Sequence, residues 1–151
     1  MIIALGADHA GFEMKQDLAR LIESLGHEIL DVGAFEYNAL DDYPDFAALV
    51  AQSVAAHEAE RGVVVCGSGI GACIAANKVI GARAGIAVES YTARQGVEHD
   101  DMNVLVLGSR VTGIEVARES LRSFLAASFS GEERHVRRLN KVIQLEHGAH
   151  A

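Results

Sequence analysis

The chain has 151 residues, half of them hydrophobic, which suffices for one well-formed core but falls short of two independent domains. Its formal net charge of −8 repels nucleic-acid backbones and anionic lipid. We therefore expect a single domain over residues 1–151 that binds neither nucleic acid nor membrane.

The N-terminal residues and the two cysteines indicate the cellular compartment and whether a zinc site is present. The apolar run at 1–5 is too short for the core of a secretion signal and lacks basic flanks. Cys66 and Cys73 are too few for a secreted disulfide scaffold, and their separation of seven residues matches no zinc-ligand spacing. These features favour a cytoplasmic protein without a metal site.

Short apolar runs alternate along the chain with longer segments of helical periodicity. Such alternation is typical of crossover units on a parallel sheet. In chain order, the sequence predicts strands at 2–5, 28–32, 63–66, 84–88 and 104–107. It predicts a helix before Gly26, a second from 42 onward, and further helices at 70–78, 90–97, 113–127 and 132–145.

Two of these helices carry clear signals. Leu18, Ile22 and Leu25 fall on one face of the first helix, which Gly26 is placed to end. Pro44 lies in the first turn of the second, where proline is well suited. Five parallel strands with helices on both faces give the predicted fold: an α/β, Rossmann-like, doubly wound sheet in three α/β/α layers.

Ligands of such sheets bind beyond the carboxyl ends of the strands. Three predicted loops at that edge carry chemistry: Asp8-His9-Ala10-Gly11, the glycine-rich turn at 66–71, and Ser109-Arg110. The three glycines of the turn allow it to fold tightly and to point several N–H groups at one anion.

The anion could belong to several classes of ligand. A kinase-like phosphate loop needs Lys and Ser or Thr after its last glycine, but Ala72 and Cys73 follow Gly71, and a thiol phosphatase would need Arg at Ala72. A dinucleotide site stays open, because Gly67, Gly69 and Ala72 fit G-x-G-x-x-A and Glu89 follows at the distance of a ribose-binding acid. The third-strand position, the short helix and the missing substrate domain speak against it.

Cys66 ends the strand before this turn. A cysteine at the end of a buried strand is ordinarily a small core residue. At a helix N-terminus among free N–H groups, however, a thiolate is stabilised, and such a sulfur serves as base or nucleophile near neutral pH. Cys73, deeper in the helix, is expected in the core.

Six motifs spread along the chain carry a resemblance to a known family. They are DHAG at 8–11, DYPD at 42–45, CGSGIG at 66–71, AANK at 75–78, NVLVLGSR at 103–110 and RHVRR at 134–138. With them the chain resembles the ribose-5-phosphate isomerase B family, relatives of the galactose-6-phosphate isomerase subunits. The resemblance implies interconversion of an aldose phosphate and a ketose phosphate through an enediolate, without metal or cofactor. It also implies a homo-oligomer, a dimer or a dimer of dimers, with active sites shared between subunits.

The resemblance also implies roles for individual residues. Cys66 would be the base that moves the proton between C1 and C2, and the N–H groups of 67–71 would stabilise the enediolate oxygen. Ser68 would keep the hydroxyl that a threonine often supplies at this position in the family. His99 would open the sugar ring. The sugar and the enediolate would be bound by Asp8, Tyr43, Gly67, Gly69, Ile70 and Gly71.

Phosphate binding is implied for His9, Arg110, Arg134 and Arg138. The last two are spaced i, i+4, so one helix can present both to the same ligand. In the family this C-terminal helix reaches over the partner subunit's pocket, which predicts an inactive monomer. His135 and Arg137 face elsewhere on that helix and are secondary.

One position departs from the family. Asp100 stands where an asparagine commonly follows the ring-opening histidine, and an ionised carboxylate only accepts hydrogen bonds. The resemblance implies ribose 5-phosphate and ribulose 5-phosphate as the substrate pair. Because of Asp100, a tetrose 4-phosphate such as erythrose 4-phosphate, or a hexose 6-phosphate, stays open as the alternative. A regulatory module that binds a sugar phosphate without turnover is the alternative from another class.

Overall fold

Strands and helices alternate along residues 1–148, which are the residues that this computed structural model describes; positions 149–151 of the predicted domain lie outside them. The strands are β1 Ile2–Ala7, β2 Glu28–Gly33, β3 Arg61–Cys66, β4 Ala84–Ile86 and β5 Val104–Gly108. The helices are α1 Phe12–Ser24, α2 Tyr43–Ala55, α3 Ile70–Ala76, α4 Ser90–Asp100, α5 Ile114–Ala126 and α6 Glu133–Glu146.

The five strands form one sheet in the order β2-β1-β3-β5-β4, and every neighbouring pair is parallel. The chain leaves β1 toward β2 and then crosses back over β1 to β3, and the crossover helices pack on both faces of the sheet. This confirms the predicted α/β, Rossmann-like, doubly wound sheet. Because β1, β3 and β5 are neighbours, the loops after these three strands meet at one edge.

A separate hydrophobic core lies on each face of the sheet. Ile3, Leu5 and Val63 face α1, α4 and α5, whereas Ala4 and Val64 face α2 and α3. Both faces of the central strands are therefore apolar, which is why these strands read in the sequence as continuous hydrophobic runs rather than as alternating ones.

The strand β4 and the helix α4 both end at a different residue from the one predicted, whereas α4 begins at 90 as predicted. The preceding strand β4 stops at Ile86 instead of 88, because Glu89 already caps α4 by accepting the N–H groups of Tyr91 and Thr92 at 2.6 and 2.8 Å. The helix then continues past 97 and ends where Asp101 adopts the left-handed conformation, φ 51°. His99 and Asp100 therefore belong to its last turn. Within residues 1–148, no helix has the length and apolar character that spanning a bilayer requires.

Candidate active site

The carboxyl ends of β1, β3 and β5 open onto a cleft of about 320 Å³. Every lining residue ends or follows one of these strands, or lies in the first turn of α2 or α3. The lining comprises Asp8, His9, Ala10, Tyr43, Cys66, Gly67, Ser68, Gly71 and Arg110. The structure thus places eight of the residues that the sequence proposes for the site around one small volume.

Cys66 is buried at the floor of this cleft, as the last residue of β3. Its Sγ accepts a hydrogen bond from the Gly69 N–H at 3.2 Å. Gly69 has φ +87°, a conformation that glycine adopts freely and that turns its N–H back onto the sulfur. An N–H hydrogen-bonds a charged sulfur more strongly than a neutral thiol, so the turn suits an anion at this position.

The other cysteine has different surroundings. Cys73 is half-buried in α3, and its Sγ lies 3.5 Å from the Ala84 carbonyl oxygen. Burial raises the pKa of the Cys73 thiol, since desolvation disfavours the thiolate. Of the two sulfurs, only Cys66 faces the cleft.

The loop after β1 is held against β3. A Cβ on Gly11 would lie 2.3 Å from the Val65 carbonyl oxygen, so the turn can pass this close only with glycine there. Asp8 is buried, and its Oδ1 accepts the Gly11 N–H at 3.0 Å. Asp8 therefore orders the start of α1 while it also lines the cleft.

The loop after β5 is tied to both neighbouring loops. The Ser109 hydroxyl donates to the Ala10 carbonyl oxygen at 2.6 Å, and the Arg110 N–H donates to the Gly67 carbonyl oxygen at 3.0 Å. These bonds place the Arg110 side chain in the cleft with little freedom in its backbone.

His9 contacts a residue that the sequence analysis missed. Its Nδ1 lies 2.6 Å from Oδ1 of Asp41, in the loop between β2 and α2. Asp8, His9 and Asp41 also have donor atoms within 4.8 Å of one another, which makes them the group that could hold a cation in the part of the chain described. No sequence signal pairs Asp41 with His9, because 32 residues separate them.

Six predicted site residues are not among those that line the cleft. Gly69 and Ile70 lie beside it, at the N-terminus of α3, whereas the other four lie elsewhere. His99 and Asp100 are on α4, Arg134 and Arg138 are on α6, and none of the four lines the cleft formed within residues 1–148. Asp100 instead lines a larger groove of about 660 Å³ between β4, α4 and α6. That groove is mainly apolar and is lined by neither cysteine nor histidine, so the smaller cleft is the better candidate.

His135 connects α6 to α4. Its ring, only 1% exposed, stacks on the His99 ring with 4.0 Å between centroids, and its Nδ1 lies 2.6 Å from the Ser130 hydroxyl. The sequence analysis set His135 aside as facing elsewhere, and it does face α4 rather than solvent. Its spacing to Leu139 and Val142, i, i+4, i+7, is the signal that could have placed it on the packed face.

A family model described as Ribose/Galactose Isomerase matches residues 3–142. The chain belongs to the ribose/galactose isomerase family. Among curated relatives, the chain is 39% identical over 144 residues to ribose-5-phosphate isomerase B of Escherichia coli, covering 95% of both. It is 38% identical over 146 residues to the protein of the same name in Mycobacterium tuberculosis, covering 97% of this chain and 90% of the relative.

Solved structures of this isomerase family have the same fold. The structure of ribose-5-phosphate isomerase B from Clostridium thermocellum has a TM-score of 0.94 at 42% identity, with 98% of this chain and 99% of that one covered. The Mycoplasma genitalium protein, solved with bound ribulose-5-phosphate, has a TM-score of 0.93 at 37% identity, covering 98% and 97%.

Gly71 of this family member sets the position of Tyr43. A Cβ on Gly71 would lie 2.5 Å from Cζ of Tyr43, whose half-exposed ring would have to swing away from the cleft. We expect Gly71→Ala to raise KM several-fold and to cost at most about 2 kcal/mol of stability, because the exposed ring can yield. Steady-state kinetics and thermal unfolding measure both effects. In a Tyr43→Ala background, the alanine at 71 should add little to KM; an equal rise there would contradict the steric explanation.

The buried His135 predicts a loss of stability in acid. Desolvation lowers the pKa of His135, and the neighbouring basic groups of His99, Arg134 and Arg138 lower it further, against the opposing effect of Glu132. The pKa of His135 is below 6.5 in the folded chain and about 6.5 in the unfolded chain, so the unfolded chain binds the proton more readily. The free energy of unfolding is therefore at its full value above about pH 6.5 and decreases as the pH drops through that value. Tm measured from pH 7.5 to 5.5 should fall less steeply for His135→Gln than for the wild type. The exposed His147→Gln is the control and should retain the wild-type slope.

Proposed function

We propose that this chain is an aldose–ketose isomerase that interconverts ribose 5-phosphate and ribulose 5-phosphate. The observation that carries the proposal is the meeting of Cys66, Asp8 and Arg110 at one cleft, in a chain 39% identical to a ribose-5-phosphate isomerase B. A single domain over 1–151 in the cytoplasm is part of the proposal.

Proton transfer by Cys66 is the central step. In the open-chain aldose, the Cys66 thiolate takes the proton from C2, and the C–H electron pair forms the C1–C2 double bond of an enediolate. The former aldehyde π pair moves onto O1, which then takes the proton that the C2 hydroxyl gives up. The thiol returns its own proton to C1 as the freed O2 electron pair forms the ketose carbonyl. The N–H groups of residues 67–71 and the Ser68 hydroxyl would stabilise the negative oxygen, since donors aimed at developing charge lower the barrier.

The remaining groups would bind and open the sugar. Asp8 and Tyr43 would hold the sugar hydroxyls, and His99 would exchange the proton that opens the ring. His9 and Arg110 would bind the phosphate with Arg134 and Arg138, because guanidinium forks suit a dianion.

We propose that a second copy of the chain supplies His99, Asp100, Arg134 and Arg138, in a dimer or a dimer of dimers. Support comes from their location on α4 and α6, away from the cleft of their own chain. Arg134 is 57% exposed in its side chain and Arg138 is exposed, so both can reach outward.

Substrate choice is tested by assaying the purified protein on aldose phosphates of four, five and six carbons. We expect the largest kcat/KM on ribose 5-phosphate. A much larger value on erythrose 4-phosphate or on a hexose 6-phosphate would move the proposal to the same chemistry on that sugar, as Asp100 would allow. Binding without turnover on every sugar would favour the regulatory module instead.

The dinucleotide alternative finds no support at Glu89. Both oxygens of that carboxylate accept N–H groups of the first turn of α4, which is the role of a helix cap rather than of a ribose ligand. Saturable thermal stabilisation by NAD would reinstate this alternative.

A further inference from the structure

A buried carboxylate holds the ring of His9. The Asp41 side chain is 9% exposed, whereas that of His9 is 26% exposed and lines the cleft. The same oxygen, Asp41 Oδ1, accepts the His9 backbone N–H at 3.0 Å and lies 2.6 Å from His9 Nδ1. Two contacts to one oxygen fix both the backbone and the ring of His9 relative to Asp41.

The chemistry of the pair determines which ring nitrogen is free. An ionised carboxylate can only accept, so Nδ1 must be the protonated nitrogen in this contact. Nε2 is then the nitrogen left for a ligand in the cleft. When Nε2 also carries a proton, each ring N–H has an acceptor, with Asp41 on one side and an anionic ligand on the other.

The surrounding loop delivers Asp41 to this position. At its start, the Ala34 carbonyl oxygen accepts from the buried Lys15 ammonium at 2.9 Å, and the Ala34 N–H donates to the Ala7 carbonyl oxygen at 2.9 Å. Near its end, the Asp41 N–H donates to the Asn38 carbonyl oxygen at 3.1 Å. The loop is thus anchored beside β1 at its start and closes a turn of its own at Asp41.

The Asp41 side chain does little for the loop itself. Among the described residues, both of its hydrogen bonds go to His9, and its Oδ2 is buried without a partner. Burying a carboxylate is costly. Because the buried Asp41 carboxylate contacts only His9 through its side chain, its effect on His9 explains its presence better than stabilisation of the loop does.

We propose that Asp41 is a positioning residue, which holds His9 through its Nδ1 proton so that the Nε2–H of the imidazolium donates to the phosphate of the substrate. The inference rests on the proposed function through the phosphate-binding role of His9. For metal-binding histidines, removal of an outer hydrogen-bond partner typically costs about 10- to 100-fold in affinity or activity, and we expect the lower end of that range for a phosphate-binding histidine.

The first test is a double-mutant cycle with isomerase kinetics and with inorganic phosphate as a competitive inhibitor. Asp41→Ala should raise both KM and the inhibition constant of phosphate by about tenfold and change kcat little. In a His9→Gln background the same substitution should add almost nothing, because Asp41 acts through His9. A tenfold loss in both backgrounds would overturn the inference and leave Asp41 a purely structural residue.

Two variants guard against trivial explanations. Asp41→Asn keeps the volume and one acceptor, so it should fold even where alanine does not, and it should give a smaller rise in KM than alanine. Glu36→Gln removes one carboxylate from an exposed position of the same loop and should leave KM unchanged. A rise in KM for Glu36→Gln equal to that for Asp41→Asn would assign the effect to loop charge and overturn the inference.

The second test does not depend on activity. Nitrogen-15 NMR of the imidazole rings, with His9 assigned by its loss in His9→Gln, should show the Nδ1-protonated tautomer in the wild type at a pH where the ring is neutral. The Nε2-protonated tautomer would overturn the positioning role. The expected tautomer in a protein that isomerises no sugar phosphate would instead count against the proposed function alone.

Discussion

Cys66→Ala should lower kcat by about 10²- to 10⁴-fold, which is the typical contribution of a well-placed acid–base group. The sulfur is the acceptor at the end of β3 toward which the Gly69 N–H points, and the cleft closes around it. Without it, no group at that position takes the C2 proton. Isomerisation of ribose 5-phosphate in a coupled assay gives kcat, and calorimetric titration with ribulose 5-phosphate should show binding within a few-fold of wild type.

Two matched variants sharpen this prediction. Cys66→Ser keeps an acceptor for Gly69 but replaces the thiol by a hydroxyl that does not ionise near neutral pH, so it should be nearly as inactive as alanine. Cys73→Ser changes the second sulfur, whose thiol pKa is raised by burial, and should retain full kcat. A kcat of Cys66→Ala equal to that of the wild type would contradict the role of Cys66 in proton transfer.

The fold could be predicted because its signals are local. The apolar runs at 63–66 and 104–107 are buried on both faces, and each is followed by a segment of helical periodicity. The glycine turn could also be placed at the ligand-binding edge, since the carboxyl ends of parallel strands mark that edge in any doubly wound sheet.

Pairings between distant segments could not be predicted. The contact of Asp41 with His9 and the stack of His135 on His99 join residues more than thirty positions apart. Neither pair has a spacing rule like the i, i+4 of a helix, so only the folded chain shows them. The early end of β4 has a local cause instead, because Glu89 caps α4 by accepting the N–H groups of Tyr91 and Thr92 and does not extend the edge strand.

Mixing two inactive variants should restore activity if the active site is shared between copies. Arg134→Ala/Arg138→Ala removes two exposed cations from α6 and should reduce kcat/KM by about 10²-fold or more, as expected for two charge-assisted hydrogen bonds to phosphate. When this double variant is combined with an equal amount of Cys66→Ala and the subunits exchange, half of the dimers contain one chain of each kind. Each mixed dimer has one complete site, so about a quarter of wild-type activity should return.

The level of recovery distinguishes shared from separate sites. If Cys66 and the two arginines acted within one chain, every chain in the mixture would lack part of its site and no activity would return. A mixture of Cys66→Ala with Cys66→Ser must stay inactive under the same exchange conditions, because neither chain can donate the thiol. Since His99 and the arginines lie outside the cleft of their own chain, recovery would also explain how a cleft of about 320 Å³ with a single arginine, Arg110, at its edge binds a phosphate dianion. In that case the remaining positive charge would come from the α6 helix of the second copy.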